Sequence, residues 1–159
     1  MSKEGIREIS IASREKLNSI IEYARRLHGH LGPFLVLGIK MSLAGMNKLG
    51  IGENMQSMRV EAKLPRRIPY TCTLDGIKAT TQCTFGNQKL VLKEADSLSI
   101  SAKFSLSNPK KQVTISLKNE ILQNLIEELR EAKDESAQEK LAWIIASTPE
   151  ERLFSIKIQ

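Results

Sequence analysis

"SMRVEAKLP", residues 57–65, decides how this chain is read. Met58, Val60, Ala62 and Leu64 alternate with Arg59, Glu61 and Lys63, the period-two signature of a strand with one face buried. Pro65 ends the run, and "LGIGEN" at 49–54 separates it from what comes before. Upstream the period is helical. Leu17, Ile20, Ile21, Ala24 and Leu27 form one stripe, predicting a helix from Ser13, as N-cap, to His28, with Gly29 just past its end. His28 falls on the same stripe, three turns after Leu17. A second helix is expected over Pro33–Leu49, with Pro33 at its first position. Apolar residues wrap most of its circumference, so it should be central and buried. Gly38 and Gly45 lie on nearly one line, where another backbone could approach closely.

Downstream of the strand, "PRRIPYTC" (65–72) reads as a loop, and Asp75 reads as the N-cap of a short helix over "GIKATTQ" (76–82). Strands are expected over 89–94, 98–104 and 112–117, the last two separated by "SNPKK". Helices follow over 119–133 and 137–147, and "TPEE" (148–151) reads as a capping box with Thr148 as cap. Helices, then strands, then helices, with no βαβ alternation, predict an α+β fold. N-terminal helices pack on an antiparallel sheet, C-terminal helices follow, and residues 1–159 form one domain.

Composition narrows the function classes. Aromatics are 4% of the chain, too few for base-stacking platforms, which puts nucleic acid last among candidate partners. No apolar stretch is long enough to span a membrane, and the N-terminal residues lack a signal-peptide core, so the expected location is cytoplasmic. Residues 1–111 carry 18 Lys and Arg against 9 Asp and Glu, while residues 112–159 carry 6 against 9. The basic excess thus covers the part that holds the histidines and cysteines, where a small anionic ligand or an acidic partner surface would be attracted. Arg66 and Arg67 are the candidate anion-binding pair, since guanidinium forks recognise carboxylate and phosphate.

The only two histidines, His28 and His30, stand at one chain turn in "LHGHLGPF" (27–34), and the two cysteines flank the short helix in "YTCTLDGIKATTQCTFG" (70–86). The C-x10-C spacing is not that of a zinc knuckle. His28, His30, Cys72 and Cys83 would nonetheless make a Cys2His2 zinc set if the fold brought them together. The free N–H groups of the helix starting at Pro33 point back at this corner and favour an anion or thiolate there.

Two of these segments carry a family resemblance. "LHGHLGPFLVLGIKMSLAGMNKLG" resembles the "FHGHLCPG" hallmark, followed by an apolar, glycine-containing helix, of the FmdE-like domains named after formylmethanofuran dehydrogenase. "CTLDGIKATTQCTFGNQKL" resembles that family's second motif, preserving Cys72, Asp75, Ile77, Cys83, Thr84 and Gly86. The resemblance covers about residues 23–117. It implies an α+β core whose histidines and cysteines line a cleft, a homodimer, and a place beside the molybdenum or tungsten enzymes of archaeal one-carbon metabolism, where FmdE is not the catalytic component. Zinc is the implied ion, on His28, His30, Cys72 and Cys83, with Asp75 orienting a ligand or acting as a base. The alternative is a metal-free, non-catalytic relative that binds an anionic cofactor or a partner enzyme. Three positions depart from the pattern: Gly32 replaces the motif cysteine, Phe34 a glycine, and Gln82 the glycine before Cys83. The cysteine-rich zinc ribbon that ends many members has no counterpart before Gln159.

Overall fold

A computed structural model describes residues 3–51 and 57–159, with side-chain detail from residue 13. The break expected at "LGIGEN" therefore lies partly outside the described residues. The elements are α1 (Lys3–His28), α2 (Pro33–Leu49), β1 (Arg59–Leu64), α3 (Cys72–Thr81), β2 (Leu90–Glu94), β3 (Ser101–Ser107), β4 (Lys110–Leu117), α4 (Asn119–Glu131), α5 (Glu135–Ser147), α6 (Glu150–Leu153) and β5 (Phe154–Ile158). This is the expected α+β fold. α1 starts before Ser13, which is therefore an interior helical residue and not a cap.

One five-stranded sheet has the order β2-β1-β3-β4-β5. β3 pairs antiparallel with β1 and β4, and β5 antiparallel with β4. β1 and β2, however, are parallel, with Val60 opposite Leu90 and Leu64 opposite Glu94. The reason lies in α3. A parallel neighbour needs a crossover of a dozen or more residues, and the segment containing α3 carries the chain back to the same end of the sheet. One βαβ unit is thus embedded in an otherwise antiparallel sheet. β5, at the opposite edge, was not expected, although Phe154, Ile156 and Ile158 alternate with Ser155 and Lys157. β3 and β4 run closer together than expected, and only Asn108 and the cis-peptide Pro109 separate them.

α2 is buried along most of its length. A Cβ on Gly38 would lie 2.1 Å from the Thr73 carbonyl oxygen, and one on Gly76 would lie 2.1 Å from that of Leu35. The two glycines therefore let α2 and α3 cross backbone to backbone. A Cβ on Gly45 would lie 2.5 Å from the Phe104 ring rather than against another backbone. α5 lies on the other flank of α2, where the Lys40 ammonium donates to the carbonyls of Ala146 and Thr148 at its C-terminal end. Burial pushes the pKa of Lys40 down, opposed by Glu150 and Glu151. Thr148 spends its hydroxyl on Ile144 O, and Pro149 occupies the cap position of the four-residue α6. The "TPEE" capping box consequently does not form.

Candidate functional site

The close crossing of α2 and α3 brings three chain ends to one corner: the end of α1, the start of α2 and the first turn of α3. α1 arrives with Ile21 and Ala24 buried and Leu27 partly exposed, so the next inward position is His28. Its side chain is 13% exposed. α3 begins at Cys72 because Cys72 N, Thr73 N and Leu74 N donate to the carbonyls of Pro69, Tyr70 and Thr71, an earlier start than expected. Asp75 is consequently inside the first turn. Its carboxylate caps nothing and instead meets His28, Nδ1 to Oδ2 at 2.6 Å.

That contact fixes the imidazole and leaves Nε2 as its free nitrogen. Nε2 is fully buried and has no hydrogen-bond partner among the described residues, an arrangement that costs stability unless something else meets it. The His30 ring lies 4.7 Å away, tilted by 42°. Its Nε2 faces Gly32, where a Cβ would sit 3.9 Å from it with nothing nearer. Gly32 has extended backbone angles and gives α2 no side-chain cap. The N–H groups of Phe34 and Leu35 follow with no carbonyl one turn earlier in the helix.

These residues line a cleft of about 550 Å³, together with Ile68, Pro69, Thr71, Cys72, Leu129 and Gln138. This volume suits a small molecule. The wall is mostly apolar, and among the described residues neither Lys nor Arg lines it. Ile68 stands 81% exposed at the mouth. Burial, with the Asp75 carboxylate as second cause, pushes the Cys72 thiol above its ordinary 9.0.

Of the expected residues, the structure brings together His28, His30, Cys72 and Asp75. Cys83 is elsewhere. It is buried at the far end of α3, with its thiol toward Met58 O at 3.5 Å, and burial raises its pKa too. Arg66 also points away, toward Leu92 O, and Arg67 stacks 5.2 Å from the Tyr70 ring centroid, which in turn meets Phe34 edge-on. Neither arginine lines the cleft, so the anion-binding role expected of them does not belong to it. Among the described residues, no three His, Cys, Asp or Glu side chains group as a metal set. The donors as placed do not fit a four-ligand zinc site.

Several cleft residues had escaped the sequence reading. Ile68 and Pro69 sat in what read as a plain loop. Leu129 and Gln138 come from the C-terminal helices and carry no motif.

An α+β scaffold thus carries a mostly apolar cleft with the carboxylate-held His28 in its wall. The model of the FmdE family (molybdenum formylmethanofuran dehydrogenase operon) matches residues 27–155, and this chain belongs to that family. A crystal structure of a tungsten formylmethanofuran dehydrogenase FmdE-like protein from Syntrophus aciditrophicus has a similar fold. Its TM-score is 0.60 at 18% identity, over 90% of this chain and 71% of that one. A curated protein of Archaeoglobus fulgidus, described as a probable S-adenosyl-L-methionine-binding protein, is 36% identical over 78 residues. That alignment takes in 49% of this chain, which spans about a fifth (21%) of the relative's length. No helix among the described residues is long and apolar enough to cross a membrane.

Proposed function

We propose that this chain is a small-molecule-binding domain of the FmdE type, whose cleft takes a largely apolar ligand anchored at one polar end by His28 and His30. One observation carries the reading: Asp75 holds His28, a residue of the cleft wall, by Nδ1 and leaves Nε2 buried and without a partner among the described residues. Such a nitrogen needs a partner, and the ligand supplies one. The relative described as binding S-adenosyl-L-methionine supports a small-molecule role. A thermal-shift panel of small metabolites, S-adenosyl-L-methionine among them, tests it. At least one should raise the melting temperature of the parent, with the shift lost in His28→Ala. If none does, and native mass spectrometry finds no co-purifying ligand, the reading fails.

A zinc-loaded form is the second reading, favoured by the same contact, because a carboxylate on Nδ1 is what orients an imidazole toward a metal. His28, His30 and Cys72 would hold the ion after rearrangement, and zinc would add Lewis acidity to the cleft. The raised Cys72 pKa opposes it, since the thiol must lose its proton to bind. Elemental analysis of untagged protein beside a His30→Ala, Cys72→Ser double variant decides. Near-stoichiometric zinc in the parent alone supports this reading, and a parent that cannot be loaded dismisses it. A homodimer, and docking to a partner enzyme of molybdenum or tungsten one-carbon metabolism, belong to the FmdE role as proposals. Light scattering of the purified chain checks the first.

A further inference from the structure

We infer that the open face of the sheet binds the phosphate backbone of duplex nucleic acid, without regard to base sequence. The two faces of this sheet have opposite character. Val60, Ala62, Phe104, Val113, Ile115 and Leu117 share one face and are buried in the core. On the other face, no residue among those described is buried. The strand register collects six cations there: Arg59 and Lys63 of β1, Lys93 of β2, Lys103 of β3, Lys110 of β4 and Lys157 of β5. Glu61 is the one acidic residue among them, and it holds Lys93 at 3.1 Å and Lys103 at 3.8 Å.

Two features of this face call for an anion. Lys63 lies directly opposite Lys93 in the ladder, and like charges so placed weaken a sheet until something neutralises them. Toward the β3–β4 turn there is also a depression of about 260 Å³, lined by Arg59, Lys110, Ser57, Ser105, Ser107 and Gln112 beside Leu106. Two cations, three hydroxyls and an amide can donate there, and no carboxylate lines it. That is the donor set of a phosphate seat.

The residue types select among anionic partners. The face carries no aromatic side chain, so it offers nothing to the unstacked bases of a single strand. Its lysines and serines are types that protein–protein interfaces avoid, and it lacks the aromatic and Met anchors that they favour. Val91 is its one apolar side chain, too little to insert into a bilayer. Lysine, arginine and hydroxyl groups are, in contrast, what contacts nucleic-acid phosphates. Lys93 and Lys157 stand four strand spacings apart, roughly 19 Å. A duplex presents one charge per ~1.7 Å of its axis, so several of these cations meet phosphates together. Scarce aromatics argue against base stacking but not against contacts made to the backbone alone. The cleft is lined from the helices and the 65–71 connection, so this inference does not depend on what the cleft binds.

Fluorescence anisotropy of the purified chain with a labelled DNA duplex, and with a second duplex of unrelated sequence, tests the inference. Both should bind alike, with Kd on the order of 10⁻⁶–10⁻⁴ M. The logarithm of the affinity should fall against that of salt concentration with a slope of about −4 to −5, as for roughly five phosphates. Lys63→Thr with Lys93→Thr, and Arg59→Thr with Lys110→Thr, keep residues that suit a strand. Each pair should weaken binding at least about ten-fold at low salt and flatten the slope by about 2. Lys133→Ala with Lys140→Ala removes the same charge from the α4–α5 connection and α5, and should leave binding nearly unchanged. In the parent, which needs no variant to fold, the duplex should shift the amide resonances of Ser105, Gln112 and Thr114. An equal loss in the control pair, shifts confined to the helices, or no binding at about 50 mM salt overturns the inference. Phosphatidylserine vesicles that bind where the duplex does not would overturn it too, and give the face to a membrane.

Discussion

Asp75 shows how one side chain's environment changes its role. By type and position it should cap a helix, yet the turn at Pro69–Cys72 starts α3 four residues earlier and frees the carboxylate for His28. The same carboxylate acts on Cys72. Burial is the larger cause of that thiol's raised pKa and Asp75 the second. Iodoacetamide labelling of Cys72 should therefore rise with pH along a curve centred above 9.0, and Asp75→Asn should move the centre down without restoring the ordinary value. A centre below 9.0 in the parent would contradict this. The linkage has a definite sign. A thiol that holds its proton more tightly when folded leaves stability unchanged below the ordinary pKa, then weakens the fold as pH rises through the shifted one. Gln82 offers a separate test. It ends α3 in the left-handed region, at φ 62°, where the family pattern has glycine. That conformation costs a side-chain-bearing residue roughly 1–2 kcal/mol, and glycine loses about half of that gain to chain entropy. Gln82→Gly should thus stabilise by about 0.5–1 kcal/mol, seen as a melting-temperature rise of a few degrees.

At the level of elements, the crossing of α2 and α3 decides whether a cleft exists. Gly38→Ala would drive a Cβ into the Thr73 carbonyl, which cannot swing away as a side-chain tip would. We expect a loss of about 3 kcal/mol or more by denaturant unfolding, together with loss of ligand-induced thermal shifts as the start of α3 moves from His28. Gly45→Ala would press a Cβ on the root of the fully buried Phe104 ring, so it too should destabilise, through the core and not through the α2–α3 crossing. Much of this was legible beforehand. The alternation at Met58–Leu64, the stripe leading to His28 and the apolar girth of α2 each report a local period, and local periods survive folding. What escaped was set by distance along the chain. The parallel pairing of β1 with β2 depends on where α3 returns the strand, which no alternation encodes. β5 follows directly on α6, and its alternation of Phe154, Ile156 and Ile158 with Ser155 and Lys157 is only five residues long, so what it pairs with is set by the open edge of β4. The site was half legible for the same reason: His28, His30, Cys72 and Asp75 are marked by type and motif, whereas Leu129 and Gln138 arrive from the C-terminal helices by packing alone. Cys83 carried the motif but not the place.

For the whole molecule, the sheet ends at one edge in β5, whose Ile156 lies opposite Ile115, and just past it Gln159 N donates to Gln112 O. Removing residues 154–159 would leave β4 as an open edge beside the buried Val113 and Ile115. The truncated chain should self-associate, giving lower soluble yield and early-eluting material by size-exclusion chromatography; an unchanged monodisperse profile would refute this. At the other side, the connection 65–71 between β1 and α3 supplies the cleft's mouth through Ile68, Pro69 and Thr71 while the ladder and the His28–Asp75 contact are built from other residues. Appetite and framework are therefore written in different parts of the chain. Exchanging that short connection would reshape the mouth of the cleft while leaving the sheet and the histidine corner intact.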